Sequence, residues 1–245
     1  MAKKETSLAK KATPSSIEAA PDYLDKGNQG MEDVRPQDIW LPRLALMQSL
    51  SPTVQSSEND AGQLVNNLTG EVWLNAGEEL SFIPIKHYLQ WIRWGVREKN
   101  EGLLEQSLDP KGELAMEAAR QVPQEINGKM VYPVTEYHNF IIMCPEIHAE
   151  QLAVLSFSKA CHKRGRQLIG LIRTRGNFPC FAGRYTLQTI IETAGVNKFW
   201  SYKITNNGWT PKAIYDDVKT RYEALKGVKT QVDLEEAGSP PETEM

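Results

Sequence analysis

The sequence predicts a mainly β fold with helices (α+β): a β-barrel or strongly curved sheet interrupted by one basic helix and closed by a C-terminal helix. Three observations predict it. Short runs rich in aromatic and β-branched residues recur between Asn/Gly turn signals from about residue 64 to residue 209. The strands do not alternate regularly with helices as βαβ units would require. Two segments, around residues 159–173 and 211–227, carry helical patterns with start or stop signals.

Taken in order, residues 1–28 are rich in Lys, Ser, Ala, Pro and Gly and read as a flexible tail, because they offer too little apolar surface to offset ordering entropy. A folded domain is expected over 29–228, and an acidic flexible tail over 229–245. "DIWLPRLALMQSLSP" is apolar but broken by Pro42 and Pro52, which favours short extended pieces. "LTGEVWLNAGEELSFIPIKHYLQWIRWGVREK" gives strands separated at Thr69-Gly70 and Asn75-Ala76-Gly77. "DPKGELAMEAARQ" reads as a turn and a short helix in an acidic excursion from the sheet. Asn127-Gly128 is the clearest hairpin signal, since both residues tolerate positive φ. "QLAVLSF" is a further strand, and Ser158 is placed to cap a helix from Lys159 to Arg173. "FPCFAGRYTLQTIIE" and "KFWSYKITNNGWT" return to strand composition, the second closing at Asn206-Asn207-Gly208. Thr210-Pro211 then starts a helix that Gly227 ends.

The chain has 245 residues, 40% hydrophobic and 24% charged, which suits a globular protein with a sizeable core. Three scattered cysteines fit a reducing compartment, and no apolar run is long enough to span a membrane. A cytoplasmic protein is expected.

The net charge of −3 hides a segregated distribution. Residues 1–12 hold four lysines and one glutamate, whereas 230–245 hold Asp233, Glu235, Glu236, Glu242 and Glu244 and no base. Between Gln151 and Ile191 there is no acid at all, yet Lys159, Lys163, Arg164, Arg166, Arg173, Arg175 and Arg184 gather there. On a helical wheel Lys159, Lys163, Arg166 and Arg173 share one arc, and Ala160, Cys161, Leu168, Leu171 and Ile172 the opposite side. Solvated helix faces usually mix both signs; a stripe of one sign suits an anionic partner.

Single-stranded nucleic acid also needs flat side chains on which bases stack. In "KHYLQWIRWGVREK" the two-residue period puts His87, Leu89, Trp91, Arg93 and Arg97 on one face and Tyr88, Gln90, Ile92, Trp94 and Val96 on the other. Trp91, Arg93 and Arg97 are expected outward, since two arginines beside a tryptophan are costly to bury. Arg184, Tyr185, Trp200, Tyr202 and Lys203 form a second mixture. Trp91, Tyr185, Trp200 and Tyr202 are the candidate stacking residues.

Strands of this kind, with basic and aromatic residues and the tail "QVDLEEAGSPPETEM", resemble phage-type replication single-stranded-DNA-binding proteins. The resemblance implies an OB-like barrel and makes Asp233, Glu235, Glu236, Glu242 and Glu244 regulatory acids that occupy the groove and contact replication proteins. The tail departs from that pattern by ending in Met245 after Pro240-Pro241, where an aromatic residue is common. "PDYLDKGNQGMEDVRPQDIWLPRLALMQSLSP" is also similar to the start of many phage proteins.

Catalytic and metal motifs are absent from the sequence: no CxxC or HExxH, no phosphate loop, no GxSxG elbow. Cys144, His148, Cys161, His162 and Cys180 are the best ligand set that spacing offers, and structural roles fit them better. Glu78-Glu79 and Asp216-Asp217 are neighbours that point apart. The expectation is therefore a non-enzymatic protein without metal or cofactor. It binds single-stranded DNA in phage replication or recombination, in the host cytoplasm, with self-association left open. The competing expectation is a phage structural or host-interaction protein that uses the basic helix as a protein interface.

Overall fold

A computed structural model describes residues 41–95, 101–126 and 129–226. Both expected tails lie outside the described residues, as do Arg97, the Asn127-Gly128 turn, Gly227 and the five tail acids.

The strand reading between the prolines resolves into β1 (Arg43–Leu46) followed by the one-turn α1 (Pro52–Gln55). β2 (Leu64–Asn66), β3 (Val72–Leu74) and β4 (Glu79–Trp94) follow, turning at Gly70 and Gly77, both at positive φ. β5 (Leu103–Ser107) and α2 (Glu113–Arg120) form the acidic excursion. β6 (Gln124–Ile126) and β7 (Lys129–Val131) pair antiparallel on either side of the Asn-Gly signal. Then come β8 (Val134–Cys144), β9 (His148–Phe157), α3 (His162–Arg173), β10 (Gly183–Ala194), β11 (Asn197–Trp209) and α4 (Lys212–Ala224).

Nine strands form one curled half-barrel sheet in the order β11-β10-β4-β8-β9-β1-β2-β3, with β5 added beside β4. β4 changes partner along its length. Its first residues pair with β10 (Phe82 with Tyr185) and its last with β5 (Trp91 with Ser107). β8 runs along its other side from Ile83 to Arg93, with a register shift between Pro84 and Lys86. Proline cannot donate to the ladder, and such an irregularity bends the strand.

Both faces of the sheet are covered at its centre, at β8 and the adjoining part of β4. On one, Phe82, Phe140, Ile142, Leu155, Phe157, Tyr185 and Tyr202 pack beneath Leu168 of α3. On the other, Ile83, Ile85, Ile141, Met143 and Val154 pack with Val218 and Leu225 at the α4 end. A strand buried on both faces reads as a continuous apolar run, as "FIIMC" in β8 does. A polar network crosses the sheet: Arg43 donates to Ser156 Oγ (3.0 Å) and Gln90 Oε1 (3.3 Å). Ser156 donates to Asn139 Oδ1 (2.7 Å), and Asn139 donates to Gln90 Oε1 (3.1 Å). Gln90 and Asn139 are fully buried, so these bonds offset their desolvation.

Two local expectations are corrected. The helix does not start at Lys159: residues Lys159–Cys161 form a 3₁₀ turn, Lys159 has φ 46°, and Ser158 makes no side-chain capping bond. Ala160, expected on the apolar side, is exposed because it precedes the α-helical register. Asn206-Asn207-Gly208 does not close β11, which continues to Trp209 with Gly208 at positive φ.

Candidate nucleic-acid surface and histidine cluster

Period two groups the β4 side chains as expected, but the Trp91 face is not outward. α2 lies over it, and Trp91 is buried with Leu114, Ala115 and Val134. Its indole Nε1 donates to Glu136 Oε2 at 3.1 Å. Arg93 is held by both Glu117 oxygens (2.9 and 2.6 Å) and by Glu105 (3.4 Å). The bonds to Glu117, outweighing burial, raise its pKa above the ordinary value. The acidic excursion thus supplies the lid and counter-ions that make burial of this face affordable.

Tyr185 and Tyr202 are also core residues, and burial pushes both phenols up. Trp200 is half-buried against Gly62, where a Cβ would fall 2.7 Å from the indole ring. Three of the four expected stacking residues are therefore buried, and the fourth, Trp200, has one ring face against Gly62. Alternation alone could not reveal this, because the covering element lies elsewhere in the chain.

The basic segment is partly neutralised. Glu192, one residue beyond the acid-free window, pairs with Lys163 Nζ (2.5 Å) and with Arg164. Burial opposes the Glu192 charge, but the bonds from Lys163 and Arg164 prevail and hold its carboxyl below the usual range. Arg184 pairs with Glu146 at 2.8 Å. Lys159 is half-buried at the 3₁₀ turn. Arg166, Arg173, Arg175 and Lys203 have no acidic partner among the described residues, and of these Arg166, Arg173 and Lys203 are exposed.

Beside Arg175 lie two exposed aromatic residues that the sequence reading did not select. Phe178 and Trp209 are 60% and 56% exposed and meet edge to face at 5.4 Å. The Arg175 guanidinium stands 4.7 Å from the Trp209 ring and 5.1 Å from that of Tyr185. It donates to Asn206 Oδ1 and, at 3.4 Å, to the Arg184 carbonyl. The signal in the sequence was a large aromatic in polar loop composition: Phe178 between Asn177 and Pro179, and Trp209 after Asn206-Asn207-Gly208.

A second assembly joins side chains that spacing had left apart. Glu136 and His138 share the β8 face that α3 covers. Trp91 lies opposite Glu136, and His87 lies opposite Phe140 on the same face. His162 opens α3 above them. Gly165 permits the close approach, since a Cβ there would lie 2.8 Å from His138 Cβ and 3.0 Å from Phe157 Cβ. The Cys144–His148–Cys161–His162–Cys180 set does not assemble as a ligand group: Cys144 is buried in the core and His148 stacks on Trp73 at 4.5 Å. Asp216 and Asp217 face Lys212 and Arg221 along α4.

No helix among the described residues is long and apolar enough to cross a membrane. Comparison with known proteins returned neither a matching curated protein nor a matching solved structure. A family model described as Pam3 phage gp34-like protein matches residues 9–231, so the chain belongs to the Pam3 phage gp34-like family.

Proposed function

We propose that this protein binds single-stranded DNA in phage replication or recombination, through the exposed Phe178–Trp209 pair and the cations around it. The open Trp209 ring beside Arg175 carries the reading: an exposed indole offers a base a stacking face, and the guanidinium beside it attracts phosphate. Arg166 and Arg173, one above the other on α3, add exposed cations. A patch that reads phosphates and base faces has little dependence on sequence. The curled sheet is taken as OB-like in this proposal, with the acidic tail competing for the same surface in the host cytoplasm. Membership of a phage family is consistent with that setting.

The test is tryptophan fluorescence during oligo(dT) titration at low and moderate salt. Trp209 is the exposed tryptophan among the described residues, so saturable quenching is expected in the parent and its loss in Trp209→Phe. Arg173→Ala with Arg175→Ala should weaken binding and flatten its salt dependence. A chain ending at Lys229 should bind more tightly than the full chain. Absence of binding in both the full and the shortened chain overturns the proposal and leaves the patch to a protein partner.

A further inference from the structure

We propose that Glu136, His138 and His162 form a binding site for one divalent transition-metal ion, with Zn²⁺ the ion to test and water in the remaining position. This inference is independent of DNA binding. The donor atoms of the three residues lie within 4.8 Å of one another. His162 Nε2 is 3.0 Å from Glu136 Oε1, and His138 Nε2 is 3.8 Å from the same oxygen. A tetrahedral ion with bonds of about 2.0–2.1 Å holds its donors about 3.3–3.4 Å apart, between those two separations. Two imidazoles and one carboxylate are a donor set that suits Zn²⁺ and its neighbours better than Ca²⁺ or Mg²⁺.

The observation that points to a ligand is the His138 ring. His138 is 7% exposed, and its Nε2 has no hydrogen-bond partner among the described residues. Its other nitrogen, Nδ1, is 3.1 Å from His87 Nε2. With the proton on Nδ1, His138 donates to His87 and turns the Nε2 lone pair toward the Glu136 carboxylate. Two electron-rich groups then face each other across 3.8 Å, an arrangement that a cation between them resolves. With the proton on Nε2 instead, 3.8 Å is too long for a hydrogen bond to Glu136, and a buried donor goes unsatisfied.

The surroundings are those of a supported metal site. His87 Nε2, 3.1 Å from His138 Nδ1, is placed to accept the Nδ1 proton. Trp91 occupies Glu136 Oε2 and thereby leaves Oε1 turned to the histidines. A ligand histidine donating its second nitrogen to a neighbour, and a ligand carboxylate fixed by a hydrogen bond, are the usual outer contacts of such ions. Arg166, one turn beyond His162, is the nearby cation that opposes the ion, and it is exposed to solvent. His162 and Glu136 are partly exposed, which leaves the site a path to solvent.

The experiment is calorimetric titration of Zn²⁺, and visible absorption with Co²⁺, on the full untagged chain after chelator treatment. One ion per chain is expected, with Co²⁺ bands of low-coordinate nitrogen and oxygen ligation. His162→Ala and Glu136→Gln should each weaken Zn²⁺ binding by tenfold or more, while His148→Ala leaves it unchanged. His87→Phe, which keeps a ring against Phe140, should weaken it roughly tenfold. The parent Co²⁺ spectrum does not depend on whether any variant folds. No saturable Zn²⁺ heat and no Co²⁺ bands in the parent overturn the proposal, as does equal loss on His148→Ala.

Discussion

Gly165→Ala and Gly170→Ala, two identical changes five residues apart in α3, should alter stability in opposite directions. A Cβ at 165 would lie 2.8 Å from His138 Cβ and 3.0 Å from Phe157 Cβ. Ordinary carbon contacts need about 3.5–4.0 Å, so α3 must move away by roughly 0.7 Å or more. Both neighbouring atoms are attached directly to strand backbone, so no side-chain rotation relieves the clash. Overpacking of this kind costs about 1–3 kcal/mol, and the helix propensity gained over glycine returns about 1 kcal/mol. The net loss is up to about 2 kcal/mol, a fall in Tm of up to roughly 8 °C for a chain of this size. At 170 a Cβ would meet nothing within 4 Å, and the residue is exposed. Gly170→Ala should therefore raise stability by about 0.5–1 kcal/mol. Thermal melts followed by circular dichroism decide between the two. A Gly165→Ala protein that melts at or above the parent would refute the claim that this glycine sets the distance between α3 and the sheet.

Three other outcomes are expected. Asn139→Ala should cost about 1–3 kcal/mol in denaturant melts, because Ser156 and Gln90 lose a buried partner; a change under a few tenths would contradict the network's role. Glu192 has a lowered folded-state pKa, so its contribution is complete above its unfolded value, about 4.5, and is lost as pH falls through the folded value. Glu192→Gln should therefore lower stability near pH 7 and flatten its decline below about pH 4.5; an acid limb identical to the parent's would count against the pairing. Burial raises all three thiols, Cys180 up to about 11, so a disulfide reagent at pH 8 should react slowly with the native protein and with three thiols after unfolding. Three rapid equivalents in the native state would be incompatible with this packing.

Much of the fold was legible because its signals are local. Turn glycines marked the strand ends at Gly70 and Gly77, Pro211 marked the start of α4, and the apolar run QLAVLSF marked β9. The details that went wrong depended on neighbours distant in the chain. Trp91 and Arg93 share a face as their spacing predicts. Whether that face is wet was decided by α2, whose Leu114 covers Trp91 and whose Glu117 binds Arg93. The absence of acids over residues 151–191 likewise suggested an unneutralised stripe, until the β10–β11 hairpin returned Glu192 to Lys163 and Arg164.

By itself the sequence determined composition, strand and helix order, the alternation of faces and the grouping of charge along the chain. These follow from backbone geometry and near neighbours. Only the tertiary structure decided which aromatic rings are open, which cations are paired, and that Glu136, His138 and His162 meet. Each depends on strand register and on how closely a helix approaches the sheet, and those are set by packing between segments far apart in sequence. Glu136 and His138 were two residues apart from the outset; Gly165, by admitting α3 against β8 and β9, brought His162 to them.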